Sequence, residues 1–104
     1  MSRVEIAPGV CGFFTTVEVT SEGRQCLVAI TSECKAIQKI AEEIGPLDPM
    51  KEISSRRGTP RCLEMGLLHC FHAACPVPVG IIKALEVEKK LALPVEASIK
   101  FSQG

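Results

Sequence analysis

Cysteine and histidine are concentrated in one short segment of this chain, and their chemistry is the most distinctive that the sequence offers. The segment reads His69-Cys70-Phe71-His72-Ala73-Ala74-Cys75-Pro76-Val77-Pro78, in a chain with six cysteines. Thiolates and imidazoles bind soft metal ions, and a thiolate is also the nucleophile in sulfur and disulfide chemistry. His72 and Cys75 are three residues apart, so on a helical turn they face the same way. The segment therefore predicts a metal site or a thiol site.

Three cysteines lie at the starts of predicted elements, beside turns. Cys34 falls in the first turn of a predicted helix, Cys75 directly precedes another helix, and Cys11 precedes a strand. Unpaired backbone amides and the helix dipole stabilise negative charge at a helix start, so a thiol there ionises more readily. By contrast, Cys26 and Cys62 lie inside predicted elements and are expected to be buried, because free cysteine packs as a small hydrophobe.

The first hypothesis is a metal-binding domain that holds zinc or an iron–sulfur cluster. Cys11, Cys34 and Cys75 would be thiolate ligands, with His72 or Cys70 as the fourth. Mixed cysteine and histidine ligands suit structural zinc, whereas four cysteines fit an iron–sulfur cluster. The chain has one tight Cys/His cluster rather than the two spaced pairs of common zinc modules, so distant residues would have to complete the site.

Two other hypotheses stay open. In one, the chain is a thiol or persulfide sulfur carrier or a redox protein, with Cys75 as the nucleophile and Cys70, five residues away, as the resolving thiol. In the other, it is a binding module without chemistry, and its thiols are buried or idle. Motifs of the common hydrolases and a phosphate-binding glycine loop are missing from the sequence, so whether the chain is an enzyme is left open.

The composition predicts one domain over residues 1–104 that works in the cytoplasm. Apolar residues make up 46% of the chain, and twelve basic residues balance twelve acidic ones. Balanced charge, with few aromatic residues, argues against nucleic-acid binding. The sequence has no signal-peptide pattern and no membrane-spanning stretch. We therefore expect a reducing compartment, six cysteines without structural disulfides, no membrane association, and an unknown protein partner or a homodimer.

The hydrophobic periodicity predicts an α+β fold with the order β-β-β-α-(α)-α-β, in which helices pack on one face of a mostly antiparallel sheet. The expected elements are a strand near 4–6, a hairpin with Phe13, Val17 and Val19 on one face and 26–30 opposite, a helix with Ser32 as N-cap that ends at Gly45-Pro46, one helical turn near 50–53, a short helix over 61–68, a long helix after Pro78, and a strand over 95–101.

Four segments resemble an uncharacterised family of short cysteine-containing prokaryotic proteins, mainly from anaerobes and archaea, that is a domain of unknown function. They are Pro8-Gly9-Val10-Cys11-Gly12-Phe13, Ser32-Glu33-Cys34, His72-Ala73-Ala74-Cys75-Pro76-Val77-Pro78 and Leu91-Ala92-Leu93-Pro94. The resemblance implies one domain in a cytoplasmic setting and singles out Cys11, Cys34, His72 and Cys75. It implies no activity.

A second, local resemblance concerns Cys75-Pro76-Val77-Pro78 and the helix that follows. It is similar to the Cys-Pro-x-Pro helix start of the small TusA-like sulfur carriers, in which the cysteine carries a persulfide. Those carriers have the motif near the chain start, after the first strand, whereas here it precedes the last predicted helix. The resemblance implies persulfide chemistry at Cys75.

Overall fold

A computed structural model describes residues 1–103 of the protein. The first part of the chain forms a three-stranded antiparallel sheet. The strands are β1 (Ser2–Ile6), β2 (Thr15–Glu22) and β3 (Gln25–Ser32), in the spatial order β1-β2-β3. β2 is central, and its pairing with β3 runs from Thr15↔Ser32 to Glu22↔Gln25. The predicted hairpin is therefore confirmed.

Within residues 1–103, four α-helices and one 3₁₀ turn follow the sheet. They are α1 (Lys35–Glu43), α2 (Pro49–Glu52), the 3₁₀ turn Ser55–Arg57, α3 (Arg61–His69) and α4 (Val77–Glu88). α1 packs on β3, α4 packs on β1 and β2, and α3 contacts both α1 and α4. Among the residues that the structure describes, no helix has the length and apolar character needed to cross a membrane.

The helices cover one face of the sheet, and the alternation along β2 shows which face. Val17 and Val19 are completely buried against the helices, while Thr20 is exposed on the opposite face. The largest side chains packed in this core are Ile37, Ile40, Ile44, Leu47, Ile81 and Leu85. Cys26 and Cys62 also lie in it, as predicted. The predicted α+β fold, with helices on an antiparallel sheet, is confirmed.

The carboxylate of Glu88 holds the end of α4 against the sheet. It accepts hydrogen bonds from the hydroxyls of Ser2 and Ser21, each at 2.8 Å, and from the Ser21 amide at 3.1 Å. The hydrogen bond from Ser2, followed by the one from the Ser21 hydroxyl, lowers the pKa of Glu88 to about 2. Since Ser2 begins β1, the last turn of α4 lies beside the start of that strand.

The other end of α4 approaches β1 closely through Gly80. A β-carbon at this position would collide with the Ile6 side chain, so only glycine allows the helix to lie this near the strand. With Glu88 beside Ser2 and Gly80 beside Ile6, α4 runs antiparallel to β1. Its N-terminus therefore lies at the end of the sheet where β1 ends.

The predicted C-terminal strand over 95–101 is wrong. No strand forms after α4 in the described residues, and Val95, Ile99 and Phe101 are 75%, 86% and 97% exposed. The alternation of apolar and polar residues is present, but a strand also needs a neighbour for its backbone hydrogen bonds. Phe13 was likewise expected in β2, which instead begins at Thr15, and Phe13 is exposed.

Replacement of Glu88 by glutamine should lower stability only where the carboxylate is ionised. A carboxyl group whose pKa is depressed on folding contributes stability above its unfolded pKa, and this is lost as pH falls from about 4.5 to about 2. We expect Glu88→Gln to reduce the free energy of unfolding by about 1–2 kcal/mol at pH 7, where solvent screening limits the effect, and by little at pH 2. Urea unfolding at several pH values measures this.

Glu86→Gln is the matched control, because Glu86 lies on the same helix and its carboxylate makes no hydrogen bond among the described residues. It should leave the pH dependence unchanged. An equal loss for Glu88→Gln at pH 2 and pH 7 would contradict the role of the charge.

Candidate functional site

The carboxylate of Glu52 sets the start of α3. Glu52 is only 4% exposed, and its two oxygens accept hydrogen bonds from the amides of Arg61 at 2.9 Å and Cys62 at 2.8 Å. Pro60, at the N-cap position, has no side chain that could accept these bonds. Glu52 therefore provides from α2 the cap and the negative charge that a helix start requires.

The side chain of Arg61 joins this helix start to the end of α1. Its guanidinium donates to the main-chain carbonyls of Ile44 at 2.8 Å and Glu43 at 2.6 Å. These carbonyls lie at the end of α1, where no further helical amides donate hydrogen bonds to them. α3 thus starts where α1 ends.

Cys34 is the residue that starts α1. The helix begins at Lys35 with Cys34 as its N-cap, so the expected N-cap role of Ser32 is wrong. Ser32 is still paired with Thr15 in the sheet, and its hydroxyl oxygen accepts the Thr15 hydroxyl at 3.0 Å and the Cys34 amide at 3.2 Å. This local turn leads the chain from β3 into α1 and leaves the thiol of Cys34 half-buried.

Cys70 ends α3, and a close helix contact fixes its distance from α4. The Cys70 amide donates to the Gly66 carbonyl at 2.9 Å, which closes the last turn. A β-carbon on Gly66 would lie 2.6 Å from Cγ of Pro78, so the two helices touch where glycine leaves room. This contact is four residues before Cys70 and three after Cys75, and it brings the two ends of their loop together.

Cys70 lies close enough to Cys75 for the pKa of its thiol to be affected by it. Burial, then the charge and the polar thiol of the nearby Cys75, and then the charge of Cys34 raise the pKa of Cys70 to about 11. Cys34, Cys70 and Cys75 are all half-buried at the edge of the core. We call these three residues the thiol cluster. It joins the start of α1, the end of α3 and the residue before α4.

The start of α4 offers fewer free amides to the thiol cluster than expected from the position of Cys75 just before the helix. The Cys75 amide donates to the His72 carbonyl at 3.2 Å, and Pro76 is the N-cap. Pro78 has no amide hydrogen, so Val77 and Val79 supply the first-turn amides that remain without a main-chain acceptor. Stabilisation of a negative sulfur by this helix start therefore depends on two amides.

The other candidate side chains lie outside the thiol cluster. Cys11 is exposed in the loop between β1 and β2, although both ends of that loop are at the same end of the sheet as Cys34. His72 is exposed. His69 is half-buried, and its Nε2 atom lies 2.9 Å from Oε1 of Glu43.

Within residues 1–103, no group of three or more cysteine, histidine or acidic side chains is arranged so that it could hold a metal ion. The structure brings together three of the five candidate residues, Cys34, Cys70 and Cys75, and leaves Cys11 and His72 exposed. All six cysteines are free thiols. The ligand set expected from the sequence stays a prediction.

Comparison with protein families matches residues 2–101 to a family of unknown function, DUF6951. The chain belongs to this family. No curated protein and no solved structure matches it. The resemblance to an uncharacterised family is confirmed to this extent, and the activity of this DUF6951 protein has to be inferred from its own residues.

Two residues that shape the site in this DUF6951 protein were missed in the sequence. Glu52 caps a helix that begins nine residues later, and no local pattern links the two. Gly66 did leave a signal, because glycine within a helix is about 1 kcal/mol less favourable than alanine. A glycine inside a predicted helix therefore indicates a close approach by another element.

Replacement of Gly66 by alanine should destabilise the protein despite the better helix propensity of alanine. The new β-carbon would collide with the Pro78 ring, and we expect a loss of about 1–3 kcal/mol in the free energy of unfolding. Urea denaturation gives this value. In a Pro78→Ala background, which lacks Cγ, the loss should be smaller. A gain in stability for Gly66→Ala would show that the helix contact is not tight.

Proposed function

We propose that this protein is a cytoplasmic thiol–disulfide exchange protein in which Cys75 is the nucleophile and Cys70 the resolving thiol. The nearness of the two thiols carries the proposal, because a resolving thiol must reach the sulfur of the nucleophile. Both residues flank a short loop whose ends are held by the contact of Gly66 with Pro78. The pair is half-buried, so one sulfur can still meet a partner.

The exchange uses two electrons and two thiols of this chain. The Cys75 thiolate attacks one sulfur of a partner's disulfide, which breaks, and the leaving thiolate of the partner takes up a proton. Cys70 then loses its proton to solvent and attacks Sγ of Cys75, which releases the second partner sulfur as a thiol. The partner's disulfide is reduced to two thiols, and Cys70 and Cys75 are oxidised to a disulfide.

The environment of Cys70 favours this order of attack. Its pKa of about 11 keeps Cys70 protonated while a neighbouring thiolate is present. Once Cys75 is bound in a mixed disulfide it has no charge and no thiol proton, so the part of the shift that Cys75 causes is removed. Cys70 then ionises more readily and becomes the attacking sulfur. The rest of the raised pKa, caused by burial and by the charge of Cys34, slows the attack of Cys70 that releases the partner but does not prevent it.

The same geometry argues against a long-lived persulfide on Cys75. A persulfide there would place its inner sulfur within reach of Cys70. Attack by Cys70 on Sγ of Cys75 would expel hydrosulfide and leave a Cys70–Cys75 disulfide. A carrier must hold its sulfur until an acceptor arrives, so a neighbouring thiol is a disadvantage. Disulfide exchange is therefore the better use of this pair than sulfur transport.

A protein is the partner that suits the surroundings of the pair. Leu67 and Leu68 in the last turns of α3, and Phe71 in the following loop, are all exposed, and Phe71 is 93% exposed. Apolar side chains that cluster beside a reactive group are typical of protein contact sites. Equal numbers of acidic and basic residues give no field that would favour nucleic acid.

Mild oxidation should close a disulfide between Cys70 and Cys75 before other pairs form. We expect treatment with oxidised glutathione to remove two hydrogens from the protein mass and to give a Cys70–Cys75 cross-linked peptide in mass spectrometry. Cys75→Ser should prevent this and leave Cys70 as a mixed disulfide or free thiol. Cys11→Ser, which changes an exposed cysteine outside the thiol cluster, should leave the reaction unchanged.

Absence of a Cys70–Cys75 cross-link, under conditions that fully modify Cys11, would contradict the proposal. The rate of closure should rise with pH and level off below pH 11, because the resolving thiolate is the scarce species and the part of its raised pKa that Cys75 causes is absent in the mixed disulfide.

A second candidate function, binding of a soft metal ion or an iron–sulfur cluster, is favoured by the third thiol. Cys34 lies near enough to Cys70 for their charges to interact, so a third thiol is present where exchange needs only two. Cys11 or His72, on exposed loops, would be the fourth ligand of zinc or of an iron–sulfur cluster. Metal binding would require the thiol cluster to rearrange around the ion.

Metal analysis of protein purified without oxygen tests this second candidate. A metal site predicts stoichiometric zinc or iron in the wild type and its loss in Cys34→Ser, together with lower stability, because metal binding and folding are coupled. Exchange chemistry alone predicts protein without metal, in which Cys34→Ser still forms the Cys70–Cys75 disulfide. Cys26→Ser is unsuitable as a control because Cys26 is buried in the core. Metal content of Cys11→Ala, measured in parallel, tests whether Cys11 is the fourth ligand.

A further inference from the structure

The segment after α4 exposes apolar side chains that nothing in the described chain covers. Residues 90–103 are all exposed. The large apolar side chains among them, each more than half exposed, are Leu91, Leu93, Val95, Ile99 and Phe101. A contiguous exposed group of this kind marks a site of interaction. We call residues 95–101 the tail strand.

The tail strand has the pattern of a strand that buries one face. Val95, Ala97, Ile99 and Phe101 alternate with Glu96, Ser98 and Lys100. Side chains in a strand alternate between two faces, so the first set would lie on an apolar face and the second in solvent. The pattern requires a neighbouring strand, because an isolated strand leaves its backbone unpaired.

The free edge of β1 is the partner that the sheet offers. β1 lies at the edge of the sheet and pairs only with β2 within the described residues. The opposite edge strand, β3, is partly occupied by the backbone pairing of Cys26 with Leu47. On β1, Val4 and Ile6 face the helices, while Arg3 and Glu5 are exposed on the other face. An added strand with one apolar and one charged face would continue both surfaces.

We propose that two copies of this chain form a dimer by exchanging their tail strands, each of which pairs with the β1 edge of the other copy. The exchange is reciprocal, so both copies use the same surface, as in a twofold symmetric dimer. Addition of a strand to an open edge supplies main-chain hydrogen bonds, and the alternating side chains supply the register. The dimer would pair the free edge of β1 and the backbone of the tail strand at once.

The end of α4 fixes where the chain leaves the helix and the tail strand begins its course. Lys90 adopts a left-handed conformation with φ of 60°, its amide donates to the Val87 carbonyl at 3.0 Å, and the Leu91 amide donates to the Glu86 carbonyl at 2.8 Å. These two bonds form a Schellman motif, which ends the helix and sets the exit direction of the chain. The chain leaves α4 in this way and stays exposed to its last described residue.

The charges favour a parallel arrangement of the tail strand and β1. Two parallel registers pair all of β1 with the tail strand and keep the apolar faces together. One places Glu96 beside Arg3 and the other places Lys100 beside Glu5, so opposite charges are neighbours in both. In both corresponding antiparallel registers, like charges are opposite each other: Glu96 with Glu5, or Lys100 with Arg3. Like charges directly opposite destabilise a strand pair, so the parallel registers are preferred.

Sedimentation of the full chain under reducing conditions tests the dimer independently of the thiol chemistry. We expect the wild type to be dimeric, and Ile99→Asp to be monomeric, because the charge would lie on the apolar face of the tail strand. Val10→Asp is the matched control, since Val10 is an exposed apolar residue of the loop between β1 and β2, and it should stay dimeric. A monomeric wild type, or a dimeric Ile99→Asp, would overturn the proposal.

Charge reversal tests the direction of pairing. Arg3→Glu combined with Glu5→Lys should weaken the dimer about three- to tenfold in Kd if the strands are parallel, and adding Glu96→Lys with Lys100→Glu should restore it. An antiparallel pair would instead become tighter with the first two changes, which would refute the parallel registers. Amide protection of Ile99 in a monomeric protein would place the tail strand on its own β1 and reject the exchange.

Discussion

The buried carboxylate of Glu52 is the interaction on which the arrangement of the helices depends. A buried charge is unfavourable unless it is hydrogen-bonded, and here both oxygens are used by the amides of Arg61 and Cys62. Because the Arg61 side chain also satisfies the last carbonyls of α1, one pair of residues joins the end of α1, the end of α2 and the start of α3. Removal of the carboxylate would leave the start of α3 without a cap, and the Arg61 amide would lose the hydrogen bond that positions its backbone.

The thiol cluster is a consequence of that junction and of one glycine. α3 starts at the end of α1, and Cys70, which follows its last turn, lies within range of the charge of Cys34. The contact of Gly66 with Pro78 then holds the start of α4 against α3 and sets Cys75 beside Cys70. The sulfurs are thus positioned by helix ends, which are stiffer than the loop between them, and this is the arrangement expected of a site that must bring two thiols together repeatedly.

Local signals in the sequence predicted most of the elements but only part of the site. Alternation at Val17 and Val19, and the glycine and proline after Ile44, each act within a few residues, and the structure agrees with them. The nearness of Cys34 to Cys70 depends on contacts between residues far apart in sequence, which no local pattern encodes. The tail strand shows the opposite case. Its apolar and polar residues alternate as in a strand, but a strand forms only where a neighbouring strand pairs with it, and the sequence of the segment does not supply that neighbour.

The position of α4 connects the thiol cluster with the tail strand. Glu88 holds one end of the helix at Ser2, Gly80 holds the other at Ile6, and Cys75 lies just before that second end. A tail strand parallel to β1 would run in the same direction, from Ser2 toward Ile6, so Phe101 of one copy would reach the thiol end of the other. The other phenylalanines, Phe13, Phe14 and Phe71, are exposed in the loops at that end. The core is aliphatic and all four phenylalanines lie at the surface; the proposed parallel dimer would give this a physical reason, since it would gather them beside the sulfurs that a partner protein would have to approach.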